Sequence, residues 1–356
     1  MSKEPSSASA PRRLEKKEAV ELYREGDLLG LGAMAHRMRL ALHPEPVVTY
    51  SVDRNINYTD ICVSGCAFCA FYRPKGHPEG YEMDLGTLEV KCRETLALGG
   101  THVLYQGGLN PALDLSWHQE RLRLMRGMGL WVHGFSPPEV AFMARNWGMS
   151  IREVLERLVE AGLCSIPGGG AEILVDRVRA IVSPAKGSAS QWLEVMREAH
   201  RLGLRTTATM MFGHVETLDE RIDHMLAIRD LQDETGGFTA FIPWPYQPGK
   251  NTLKAPRVGS VQYLKTLAIS RLVLDNVPHI QASWVTQGPE IGQVALLFGA
   301  DDMGSTMIEE NVVSSAGVSY RLCESEMVDL IQKAGFVPRK RDVLYRPVSK
   351  PDTSSP

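Results

Sequence analysis

Asn55-Ile-Asn-Tyr-Thr-Asp-Ile-Cys62-Val-Ser-Gly-Cys66-Ala-Phe-Cys69-Ala-Phe-Tyr72 is the stretch around which this chain is organised. Three of the six cysteines fall within it, spaced C-x3-C-x2-C. Iron–sulfur clusters take cysteine thiolates as ligands, normally four to a cubane. Three thiolates with no nearby fourth Cys or His leave one metal position open, and an open position distinguishes a catalytic metal site from a structural one. The same spacing fits one face of a helix, which would make the cysteines a buried apolar stripe. Ser64 and Gly65 weaken such a helix. Structural zinc wants a fourth ligand, and a disulfide framework belongs to short secreted chains. Cluster, zinc and core thus stand side by side, with the cluster the best match to a three-ligand set.

Outward from this loop, strand and helix patterns alternate. Leu14 to Leu42 reads as two helices broken near Gly26-Asp27, and Val47 to Asn57 as the first strand, feeding directly into the cysteine loop. Further strands are expected at His102–Gln106, Leu130–Phe135, Leu163–Ile166, Arg205–Met211, Phe238–Pro243, His279–Trp284 and Gln293–Phe298. Helices intervene, three of them opened by the capping patterns Ser150/Glu153, Ser188/Gln191 and Thr217/Glu220. Eight alternations in 356 residues predict an α/β chain folded as a (β/α)8 TIM-type barrel. An open doubly wound sheet would gather its polar motifs at one switch point, whereas here they follow almost every strand. The expected boundaries are disordered tails at 1–13 and 349–356, N-terminal helices at 14–46, the barrel at 47–324, and a C-terminal helix with an extended segment at 325–348.

Bulk properties exclude several classes. The formal net charge is −3, which argues against a general nucleic-acid binder. No apolar run reaches the roughly 18 residues of a membrane span. The N-terminus lacks the apolar segment of a signal peptide, so a reducing cytoplasm is the expected location. Cys92, Cys164 and Cys323 stand alone and read as small apolar residues.

Cys62-x3-Cys66-x-Phe68-Cys69 resembles the signature of the radical S-adenosylmethionine (SAM) enzymes. The resemblance implies a radical SAM barrel with a [4Fe–4S] cluster on Cys62, Cys66 and Cys69, S-adenosyl-L-methionine on its open iron, and Phe68 near the adenine. Gln106-Gly107-Gly108 stands where the family's Gly-Gly-Glu-type segment receives the SAM amino group. Leu109 replaces the Glu, and backbone carbonyls would accept the ammonium instead. Glu172, closing the run Pro167-Gly-Gly-Gly-Ala-Glu172, is the candidate for the SAM ribose; a helix N-terminal carboxylate is its other reading. Gly213 and Glu216 match the family segment beside the adenine, while Thr209 and Met211 depart from it.

Asn55-Ile-Asn-Tyr-Thr59, Ser283-Trp-Val-Thr-Gln-Gly-Pro289 and Asp301-Asp-Met-Gly-Ser-Thr-Met-Ile-Glu-Glu-Asn-Val-Val313 resemble one branch of that family, the menaquinone futalosine-pathway and deazaflavin enzymes. Within it the resemblance is greatest to the dehypoxanthine futalosine cyclases, from about Leu14 to Val348. The branch implies hydrogen abstraction at C4′ of the substrate sugar, radical addition to the attached benzoate ring, and loss of an electron and a proton. Glu172, Glu310 and His133 are candidates for the general base, with a satisfied core histidine the other reading of His133. Arg54 or Ser283 would meet the substrate carboxylate, with Asn57, Glu310 and Asn311 completing the substrate set. The expected partners are the small molecule dehypoxanthine futalosine and a low-potential electron donor such as flavodoxin or ferredoxin. Sister enzymes, aminofutalosine synthase and the tyrosine-coupling subunit of the F420-precursor synthase, share the motif. An iron–sulfur electron carrier, the alternative of another class, would want four cysteines per cluster.

Overall fold

A computed structural model describes residues 13–318 and 320–348. The tails expected at 1–13 and 349–356 lie outside them, except Arg13, which is anchored by ion pairs to Asp233 and Asp275 at 2.5 and 2.7 Å. Among the described residues, ten strands run β1 Val47–Ser51, β2 Asp53–Asn57, β3 His102–Gln106, β4 Trp131–Gly134, β5 Leu163–Ile166, β6 Arg205–Phe212, β7 Phe238–Pro245, β8 His279–Ile280, β9 Asp302–Ser305 and β10 Val337–Lys340. The strands from β2 to β8 pair in sequence order, all parallel, as one seven-stranded sheet. Parallel pairing in chain order requires a crossover after each strand, and helices supply it.

The sheet curls and closes through a second layer of pairing. Gln281 bridges to Asp302 in parallel just past β8, β9 pairs with β1, and β1 continues into β2 across Val52. The expected first strand, 47–57, is therefore two strands with one residue between them. The last strand is displaced. Gln293–Phe298 was the expected eighth strand, but Pro289–Ala295 is a helix started by its proline. Asp302–Ser305, in the polar loop, occupies the barrel position. Its side chains are buried because they are paired: Arg341 grips Asp302 through Nε at 2.6 Å and a terminal nitrogen at 2.9 Å, and Ser305 Oγ donates to Asp53 at 2.7 Å.

The N-terminal helices fall at Lys16–Glu25 and Leu28–Leu42, broken where expected. The capping boxes at Ser150 and Thr217 form; at Ser188 the hydroxyl caps Gln191 N without the reciprocal bond. The final helix is Glu324–Lys333, and β10 then lays the C-terminal segment alongside β1. Among the described residues no helix is long and apolar enough to cross a membrane.

Candidate functional site

β2 delivers the chain into the cysteine loop, which folds back on itself. Cys62 N donates to Arg73 O at 2.9 Å, and Arg73 N to Asp60 O at 2.7 Å. Gly65 turns with φ 57°, a conformation that favours glycine. Two backbone amides, Leu109 and Ser64, point at Cys62 Sγ from 3.3 and 3.4 Å. Ser64 Oγ lies 3.1 Å from Cys66 Sγ, and burial pushes the Cys66 thiol up. N–H groups directed at sulfur are what a thiolate ligand needs. Three sulfurs on one zinc ion, with Zn–S near 2.3 Å, would lie about 4 Å apart. Among the described residues these three are not grouped within 4.8 Å of one another.

Lys186, from the short 3-10 turn Pro184–Lys186, comes to the same place from far along the chain. Its ammonium lies 2.8 Å from Glu172 Oε1 and 5.2 Å from the Phe68 ring centroid. Burial works against its charge, but Cys66, Glu172 and Cys69 more than offset this and hold the lysine protonated. Glu172 is buried at φ 43°, a strained backbone for a non-glycine residue. Its Oε2 is 3.7 Å from Arg179 and has no hydrogen-bond partner. A buried carboxylate oxygen without a partner is costly, and here it sits next to the cysteine loop.

The glycine segments prove tightly packed on protein. A Cβ on Gly107 would lie 2.5 Å from the Tyr58 ring, and one on Gly108 2.2 Å from Ile61 O. Gly107 N is held by Glu139 Oε1 at 3.0 Å, the same buried carboxylate that takes Tyr58 OH at 2.7 Å. Gly168 lies flat on β6, where a Cβ would be 2.6 Å from Ala208 Cα, so its closest approach is to the barrel's own strand. Gly213, at φ 88°, abuts Val258. Both Glu216 oxygens are used: Gly213 N and Arg221 meet Oε1 at 2.6 Å, and His214 N meets Oε2 at 2.9 Å. Burial alone would raise this carboxyl, but Arg221, His214 and the amides hold it low.

A cavity of about 290 Å³ lies within the barrel. Gln106, His133, Ser283 and Glu310 line it, among walls that include Trp244 and Trp284. Gln106 ends β3, and its carbonyl accepts Tyr58 N at 3.3 Å and Asn57 Nδ2 at 3.4 Å. The remaining polar candidates differ in availability. Glu310 accepts from Val312 N, Val313 N and Ser314 N at 2.7–2.8 Å, so its carboxylate caps the short helix Val312–Ser315. Ser283 Oγ bonds Thr286 Oγ1 at 2.7 Å. Asn57 and Asn311 are joined at 3.3 Å. Arg54 stands apart: Asp53 and Asn55 line the cavity, so the alternation of β2 turns Arg54 outward. There it pairs with Glu94 at 2.7 Å, with Glu309 at 3.7 Å.

His133 has a defined tautomer. Ser165 Oγ gives its proton to Arg205 O at 2.7 Å, so it must accept from His133 Nδ1 at 2.8 Å. Nε2 is then a bare acceptor on a ring that lines the cavity. Burial lowers this histidine to about 3, which keeps it neutral. Below it, His102 Nε2 lies 2.9 Å from Asp53. Sequence reading missed Lys186, Arg179, Asp53 and His102. For Asp53 the alternation of β2 was a usable signal.

The comparisons with known proteins agree with this geometry. A model of the radical SAM superfamily matches residues 56–228, and one described as the CofH/MqnC C-terminal region matches 235–354. The solved structure of methylornithine synthase superposes with a TM-score of 0.73 at 16% identity, covering 92% of this chain and 95% of that one. Fold and motif define a radical SAM enzyme. Cyclic dehypoxanthine futalosine synthase of Halalkalibacterium halodurans is 46% identical, over 94% of this chain and 91% of its own. The enzyme of the same name from Streptomyces coelicolor is 46% identical over 95% and 86%. The 5-amino-6-(D-ribitylamino)uracil–L-tyrosine 4-hydroxyphenyl transferase of Archaeoglobus fulgidus is 43% identical over 84% and 88%. Aminodeoxyfutalosine synthase of Thermus thermophilus is 39% identical over 95% and 93%. The chain belongs to the family of the cyclic dehypoxanthine futalosine synthases and these sister enzymes.

Proposed function

We propose that this chain converts dehypoxanthine futalosine to its cyclic product in menaquinone biosynthesis, working through residues 47–324. The observation that carries the site assignment is the ion pair of buried Glu172 with half-buried Lys186, set beside Cys66 and Cys69 at the end of a loop whose Pro167 and Gly169 line the cavity. Cys62, Cys66 and Cys69 would hold a [4Fe–4S] cluster. With SAM bound, that cluster supplies a carbon radical able to take hydrogen from C4′ of the substrate sugar.

The chain's own residues do the rest. Lys186 offers a cation to the SAM carboxylate, and the unpartnered Glu172 oxygen can accept from the ribose. Phe68 packs beside them. The apolar walls, Ile242, Trp244, Trp284 and Met307 among them, keep water from the substrate radical as it closes onto the benzoate ring. Restoring aromaticity releases one proton and one electron, and the oxidised cluster that Cys62, Cys66 and Cys69 would hold is the acceptor available for the electron. Of the three candidate bases, Glu172 is tied to Lys186 and Glu310 caps a helix, so His133 Nε2 takes the proton. A weak base suffices, because the ring proton is strongly acidic once the electron has left. An external low-potential donor would supply the electron that starts the cycle.

The test is product analysis. Protein reconstituted anaerobically with iron and sulfide, then given reductant, SAM and dehypoxanthine futalosine, should yield a cyclised product two hydrogens lighter than the substrate. Deoxyadenosine without that product would reassign the chain to a sister reaction.

A further inference from the structure

We infer that Glu139 is a positioning residue that clamps the cysteine loop to the turn after β3 and so holds Cys62 in place as a ligand. The inference rests on the cluster reading given above, and it adds a residue outside the sets assigned to SAM and substrate.

By sequence Glu139 is a helix-capping residue. It stands three positions after Ser136 at the head of the helix Pro137–Trp147, and its Oε2 accepts from Ser136 N at 2.7 Å and Ser136 Oγ at 2.5 Å. A capping box needs only that oxygen. At Ser150 the same box is closed by Glu153 Oε2 alone, at 2.8 and 2.7 Å, and Glu153 is exposed. Glu139 is buried, and its second oxygen reaches away from the helix. That Oε1 accepts from Tyr58 OH at 2.7 Å and from Gly107 N at 3.0 Å.

The two groups held by Oε1 head two segments that then run on together. Tyr58 lies four residues before Cys62, and Gly107 follows the last residue of β3. Gly108 N donates to Thr59 O at 3.0 Å, Leu109 N points at Cys62 Sγ from 3.3 Å, and Val63 N donates to Leu109 O at 3.0 Å. One carboxylate oxygen thus sets the register of a run of hydrogen bonds that ends on a ligand sulfur. Hydrogen-bonding partners behind a metal ligand orient it, and losing one typically costs about 10–100-fold in metal affinity or activity. The two oxygens can be separated by mutation. Tyr58→Phe keeps the ring that packs on Gly107 and removes only a clamp donor, while Ser136→Ala removes only a cap donor.

The test measures how fast EDTA strips iron from anaerobically reconstituted protein, alongside amide hydrogen exchange of the same proteins without iron. Glu139→Ala should release iron about 10–100-fold faster than wild type, with Tyr58→Phe moving in the same direction and Ser136→Ala staying within about twofold. In the iron-free proteins the amides of Gly107, Gly108 and Leu109 should exchange about tenfold faster or more in Glu139→Ala and Tyr58→Phe, and at the wild-type rate in Ser136→Ala. Equal iron release from Glu139→Ala and Ser136→Ala would make Glu139 a helix cap alone and overturn the inference. If Glu139→Ala does not fold, Tyr58→Phe decides: wild-type iron release and wild-type exchange in that variant would overturn the clamp and leave the cluster reading intact. A wild-type protein that takes up no iron would overturn the cluster reading, and this inference with it, whatever the exchange rates show.

Discussion

Lys186 sits at the chemical centre of the site. Its ammonium meets Glu172 at 2.8 Å and feels the sulfurs of Cys66 and Cys69. A charge-assisted hydrogen bond is worth about 1.5–3 kcal/mol, so Lys186→Met should raise the KM for SAM about 10–100-fold, and Lys186→Arg should restore part of it. Measuring KM alongside circular dichroism separates binding from the destabilisation expected when Glu172 loses its partner. Cys66→Ala should lose cluster iron and activity together. Cys92→Ala, in the buried face of the helix Leu85–Ala97, should keep both; iron loss there would extend the ligand set beyond the loop. The cysteines were legible because their spacing is local. Lys186 was not, because it arrives through a three-residue turn between a proline and a glycine, with no spacing that links it to Cys66. Arg54 faces away from the cavity, as the two-residue period that Asp53 and Asn55 set for the strand dictates.

The turn after β3 and the cysteine loop form one packed unit. Gly108 N donates to Thr59 O at 3.0 Å, and a side chain there would meet Ile61 O at 2.2 Å. Gly108→Ala should therefore shift the loop that carries Cys62, at a cost of about 1–3 kcal/mol. The expected readout is a lower urea midpoint together with reduced iron per protein; an unchanged midpoint with full iron would contradict this packing. Most elements were readable from their capping residues and alternation. The eighth barrel position was not. Asp302 and Ser305 are buried by ion pairing and hydrogen bonding with Arg341, Thr49 and Asp53, so Met303 is the one large apolar side chain in β9 and the strand lacks an apolar run. The apolar run at Val294–Phe298 drew the assignment instead, although Pro289 favours a helix start there.

At the scale of the whole molecule, His118, His133 and His224 are buried and His200 half-buried among the described residues, all held neutral. Burial lowers His118, His133 and His224 to about 3 and His200 to about 4. In the unfolded chain each takes its proton near 6.5. Between those values the unfolded state binds more protons, so their stabilising contribution is complete above about pH 6.5 and is lost as pH falls, by up to ~1.4 kcal/mol per pH unit for each histidine. Asp301, which Arg271 and His279 hold down to about 2 against its burial, adds loss in the same direction at lower pH. Urea midpoints should drop clearly between pH 7 and pH 5; a flat profile would show these histidines to be hydrated. The same closed barrel surrounds a cavity of about 290 Å³ with Trp and Ile walls and one bare imidazole nitrogen. This cavity is proposed to present the C4′ position of a futalosine-type sugar to the SAM-derived radical. Dehypoxanthine futalosine carrying deuterium at C4′ tests it directly, with the deoxyadenosine product weighed by mass spectrometry. Deoxyadenosine one mass unit heavier is expected, formed together with the cyclised product. Unlabelled deoxyadenosine accompanying that product would contradict it.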